Sequence, residues 1–157
     1  MDGTVEFTDD IDTLGVAYHE VGHGLAGRLG GMKVRRLRIE RSWWTGNVSC
    51  GYTVLDPPAP DAGTTAWQAY AVMLFAGQTA QLRHLDNAGV LTPALHARIE
   101  NGAASDYQFW LDDRARCKFT ESDARRAADK FCDRHWPRMT KLAERLARTA
   151  QLSGSAL

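Results

Sequence analysis

A chain of 157 residues in which 19 lysines and arginines balance 19 aspartates and glutamates is sized for one domain and has no net field to gather nucleic acid or an anionic membrane. No apolar run approaches the 18 or so residues of a membrane span, and the early residues Asp2, Glu6, Asp9, Asp10 and Asp12 are acidic where a signal peptide is basic, so a soluble, cytoplasmic protein is expected. Three widely spaced cysteines, Cys50, Cys117 and Cys132, form no CxxC pair, which argues for buried free thiols rather than disulfides or a cysteine-rich metal site.

Along the chain, Leu14, Ala17, Val21, Leu25 and Leu29 recur at the three-and-four spacing of a helix face. This predicts a helix over 14–29, capped by Asp12 or Thr13 and ended by Gly30 and Gly31. Two short stretches rich in β-branched residues follow at 34–41 and 47–54, the second alternating through Val48, Cys50, Tyr52 and Val54. They predict a strand pair joined by a turn at 42–46.

The prolines at 57, 58 and 60 remove donors and fix the backbone, so 56–63 is expected to be a loop. A second helix is predicted over 65–84, with Trp67, Tyr70, Ala71, Leu74 and Leu82 inward and Gly77 permitting close approach of another backbone. A third, shorter helix is expected at 93–99, and Gly102 breaks the pattern. Asp106 then opens a segment whose Tyr107, Trp110, Leu111 and Ala115 share one face. Thr120 with Asp123 resembles a cap at the head of a long final helix, which Pro137 should kink or split. The reading is a mainly α chain with a small β-sheet (α+β), comprising a lead-in at 1–12, one domain at 13–154 and a tail at 155–157. There is no internal repeat and no phosphate-binding GxxxxGK[ST] loop, so ATP hydrolysis by that route is excluded.

The residues that carry chemistry are HEVGH, at 19–23. On a helix, His19 and His23 stand one turn apart and can aim two imidazoles at one zinc ion, while Glu20 projects beside the metal and can take a proton from water. A catalytic zinc keeps three protein ligands, so one more must come from elsewhere. Glu40, His84, Asp86, His96, Glu100, Asp106 and His135 are the candidates, and spacing does not choose among them.

The run AYHEVGHGLAGRLGG at 17–31 resembles the peptidase domain of FtsH-type zinc metalloproteases. LFAGQTAQ at 74–81 is similar to that family's glycine-containing helix, and GAASD at 102–106 is similar to its Gly-Ala-x-x-Asp segment. The closing helical pattern is similar too, so the resemblance runs from about 13 to 154. It implies a zincin-like HExxH helix in a helical peptidase domain, with His19, His23 and Asp106 as zinc ligands and Glu20 as general base. Where the family usually has an acidic residue in its second helix, this chain has Gln78 and Gln81. Asp106 also suits an N-cap of the following helix.

The expected function is a zinc metalloendopeptidase acting on unfolded, flexible or partner-delivered polypeptide bound along the strand edge at 47–54. The family's transmembrane and ATPase parts are expected to be missing, so delivery falls to a separate ATPase or a homo-oligomer. Trp43, Trp44, Pro57, Pro58 and Pro60 are expected to border the cleft. The competing expectations are a regulatory peptidase specific for one repressor and a non-catalytic zinc-binding or protein-interaction module. Retention of Glu20 speaks against the last.

Overall fold

The computed structural model describes residues 8–157, so most of the expected lead-in, with its acidic Asp2 and Glu6, lies outside the described residues. The first helix begins earlier than the apolar pattern predicts. α1 spans Asp9–Leu29, because the Thr8 hydroxyl accepts from the Ile11 N–H and Asp9, Asp10 and Asp12 occupy the first turn. Those carboxylates complement the positive end of the helix dipole. Neither Asp12 nor Thr13 is the cap.

Strands β1 (Lys33–Arg41) and β2 (Val48–Asp56) pair antiparallel, with Leu37 opposite Thr53 and Ile39 opposite Gly51. Alternation along β1 turns Leu37 and Ile39 into the core and leaves Arg36 and Arg38 exposed. After the proline loop, α2 (Thr64–Asn87) runs longer than predicted and buries Trp67, Tyr70, Ala71 and Leu74. Near its C-terminal end Leu85, rather than Leu82, is fully buried. α3 (Pro93–Gly102) continues through Gly102, and Ala103 alone separates it from α4 (Ala104–Cys117). On α4 Trp110 is buried, whereas Tyr107 and Ala115 of the predicted face are exposed.

α5 (Glu121–Thr149) starts where the sequence indicates, the Thr120 hydroxyl accepting from the Asp123 N–H. It is one continuous helix across Pro137 and is not split in two. Ala150, at φ 61°, ends it. The chain then forms a strand absent from the sequence reading: β3 (Gln151–Ser153) pairs antiparallel with β1, Leu152 opposite Leu37. Among the described residues the sheet order is β2-β1-β3, so β2 is paired along one edge and free along the other. The expected tail at 155–157 is structured as well, ending in a 3-10 turn with Leu157 buried in the core.

The core is built mainly between α1, α2, α5 and one face of the sheet. Val21, Leu25, Leu37, Met139 and Leu146 are among its fully buried side chains, each worth roughly 1.5–3 kcal/mol of burial. α1 and α2 cross at a glycine. A Cβ on Gly22 would lie 2.5 Å from the Ala76 carbonyl oxygen, so only glycine lets the two backbones approach this closely. Cys117 and Cys132 are buried free thiols as expected, and burial pushes the Cys132 thiol up to about 12. Cys50 is exposed instead.

Candidate metal centre

The close approach of α1 to α2 determines what faces what. His19, Glu20 and His23 lie on the stretch of α1 that crosses α2, and Asp106 sits in the first turn of α4. It is not the N-cap, a position held by Ala103. The dipole of α4 nonetheless favours its anionic form.

His23 Nε2 lies 2.9 Å from His19 Nε2, and Asp106 Oδ2 lies 3.3 Å from the first and 3.2 Å from the second when named in the order His19, His23. Each ring uses its other nitrogen elsewhere. His23 Nδ1 is 2.8 Å from the Met73 carbonyl oxygen, and His19 Nδ1 is 3.0 Å from Gln81 Oε1. A carbonyl oxygen can only accept, so Nδ1 carries a proton in both rings and the two Nε2 atoms are left to face each other and a carboxylate. Three such atoms converging within 4.8 Å are reconciled either by a proton on His23 or by a bound cation.

The spacing fits a metal. Ligands about 2.0–2.1 Å from a tetrahedral zinc are separated by roughly 3.3 Å, close to the three separations observed. The titration behaviour has the same origin. Burial by itself disfavours the charged form of His23, but the hydrogen bond and charge of Asp106, with Glu20 and the Met73 carbonyl, lift its pKa to about 9. Burial likewise opposes ionisation of Asp106, yet His19 and His23 hold its carboxyl well below the usual carboxylate range.

Glu20 is only 4% exposed, and its side chain lies between α1 and β2. Thr53 donates a 2.7 Å hydrogen bond to Glu20 Oε2 and also reaches the Glu20 backbone carbonyl at 3.1 Å. Gly51 leaves room for the Glu20 stem, since a Cβ there would meet it at 2.7 Å. His19, Glu20, His23 and Asp106 all line one cleft of about 680 Å³, whose opposite wall is β2 from Val48 to Thr53. Phe109, Met73 and Leu74 add apolar surface, and Arg98 adds a cation held 2.7 Å from Asp12.

The other third-ligand candidates are elsewhere. Glu40 accepts from the Tyr52 hydroxyl at 2.9 Å, and His84 stacks on Tyr18 with ring centroids 4.6 Å apart. His96 pairs with Glu100 at 3.6 Å, His135 packs beside Phe131, and Asp86 is exposed. Trp43, Trp44, Pro57, Pro58 and Pro60 do not line the cleft, which corrects the expectation that they border it. The tryptophans stand out in solvent at the hairpin tip, 86% and 79% exposed.

Sequence reasoning missed Thr53, Gln81 and the Met73 carbonyl as partners of the site. Gln81 stood out only as a departure from an acidic residue, yet it supplies the acceptor that orients His19. No family model matches the chain, and no curated protein matches it.

Proposed function

We propose that this chain is a zinc-dependent endopeptidase of FtsH-like type that hydrolyses unfolded, flexible or partner-delivered polypeptide. In this reading His19, His23 and Asp106 hold the ion and Glu20 is the general base. One observation carries it: both imidazoles spend their Nδ1 protons on fixed acceptors and turn their Nε2 atoms toward each other and a carboxylate, at separations of 2.9–3.3 Å. Without a cation or a proton, that arrangement is repulsive.

A zinc ion bound there supplies Lewis acidity, polarising a scissile carbonyl and bringing the pKa of water near 7. Glu20, aimed by Thr53, accepts the proton of the attacking water and returns it to the leaving amine. The free edge of β2 offers main-chain groups to an extended polypeptide, and Phe109, Met73 and Leu74 suit apolar side chains. A separate ATPase or a homo-oligomer would deliver folded substrates.

Glu20→Gln tests the chemistry apart from the metal. Cleavage of unfolded casein should fall by roughly 100-fold or more, while zinc content stays that of the wild type. Retained turnover would remove Glu20 from the role of base.

A further inference from the structure

We propose that the outer face of α5 binds the phosphodiester backbone of nucleic acid through the row Lys130, Arg134, Arg138, Lys141, Arg145 and Arg148. The inference is independent of the zinc reading. Steps of four, four, three, four and three residues keep the six on one side of the helix, and every one of them is exposed. At 1.5 Å per residue the row runs for about 27 Å.

Nothing in the fold neutralises it. Among the described residues none of the six has an ion-pair partner, whereas Arg125 and Arg126, before the row, are taken by Glu121 and Asp123. Asp129 and Asp133 lie on the flank where Arg83 of α2 bonds the Asp133 carboxylate and the Asp129 carbonyl. From Arg134 to Arg148 five cations stand against one carboxylate, Glu144, which pairs with none of them. His135 sits beside the row, and burial first, then the charges of Arg134 and Arg138, hold its pKa below the ordinary imidazole value. A total charge of zero removes the field of the whole molecule but not this local one.

The chemistry of the face selects the partner. Among the described residues no large apolar side chain is exposed on α5, and Met139, Leu142 and Leu146 of this helix are buried in the core. A protein interface calls for an apolar centre, and a bilayer calls for side chains to insert. A row of cations with neither suits a strand of phosphates, which carries its charge in a line and asks for no apolar contact. Four of the six are arginines, whose guanidinium can grip phosphate oxygens with two N–H groups at once. Such contacts read no sequence. No residue of α5 lines the cleft, so a chain bound in this way would still admit polypeptide, and its binding would not need metal.

The test is fluorescence anisotropy of a labelled DNA duplex of about 20 base pairs and arbitrary sequence, titrated with the intact chain at several salt concentrations. The wild type should bind with a dissociation constant on the order of micromolar near 50 mM salt, and weaken with a log–log slope of roughly −5. Arg134→Gln, Arg138→Gln and Lys141→Gln combined should lower affinity by roughly tenfold or more and make the slope shallower by about 1 per cation removed. The triple variant should keep the wild-type circular dichroism and melting temperature, since the three residues are exposed. Lys33→Gln, Arg36→Gln and Arg114→Gln combined, an equal loss of charge away from α5, should stay within about twofold of the wild type. The proposal is overturned if the wild type does not bind the duplex, if the α5 variant binds it equally well, or if the control variant weakens it as much. It is also overturned if polyglutamate or phosphatidylglycerol vesicles, at the same charge concentration, displace the duplex as well as unlabelled duplex does.

Discussion

The imidazole of His23 lies across Gly77. A Cβ built at Gly77 would fall 2.6 Å from the ring Cε1 and closer still to Nε2, so the absence of a side chain on α2 is what lets the ring reach both Asp106 and the Met73 carbonyl. Gly77→Ala should therefore displace the ring. Overpacking of this kind costs roughly 1–3 kcal/mol, and the larger effect should be on metal: zinc affinity is expected to drop steeply while the circular dichroism spectrum stays helical. Unchanged zinc affinity would show that the ring can be held another way.

Gln81 should behave as a support of the site. Its Oε1 fixes the His19 tautomer through Nδ1, and loss of such a partner typically weakens metal binding by about 10–100-fold. Gln81→Ala is expected to fall in that range, and Gln81→Glu to retain or exceed wild-type affinity because a carboxylate accepts the same hydrogen bond more strongly. Competitive zinc titration against a chromophoric chelator measures both.

Much of the site was legible before the fold was known. HEVGH announces itself because helical spacing alone aligns His19 with His23. Asp106 did not: seven residues could have been third ligand on spacing, and only the resemblance of GAASD singled it out. What brings it in is packing of α4 against α2, a long-range event without a local sequence signal. Thr53 was invisible for the same reason, since its contact with Glu20 crosses from β2 to α1. β3 was missed because three residues after a helix carry too little periodicity to register, and the pairing of Leu152 with Leu37 decides their state. The continuity of α5 through Pro137 shows tertiary packing overriding a local penalty.

The metal-free protein should show a pH dependence set by His23. Its folded pKa, about 9, is raised above the ordinary imidazole value, so its stabilising contribution is full below about pH 6.5 and is lost as pH rises through about 9. Asp106, depressed in the folded state, contributes above the ordinary carboxylate range and loses that contribution as pH falls below it. The melting temperature of the metal-free wild type should therefore decline from pH 6 to pH 9.5 more than that of His23→Ala. Zinc should reverse the trend, since binding requires the unprotonated ring. Parallel melting curves for the two metal-free proteins across that range would deny the coupling.

Zinc titration of the metal-free chain, alongside Asp106→Ala, addresses the central claim most directly. The account predicts one zinc per wild-type chain. It also predicts that Asp106→Ala binds roughly 100-fold or more weakly, because only two histidines of a three-ligand site remain. A wild-type chain that takes up no zinc, or an Asp106→Ala chain that binds it as tightly as the wild type, would contradict the assignment of His19, His23 and Asp106 as the metal centre.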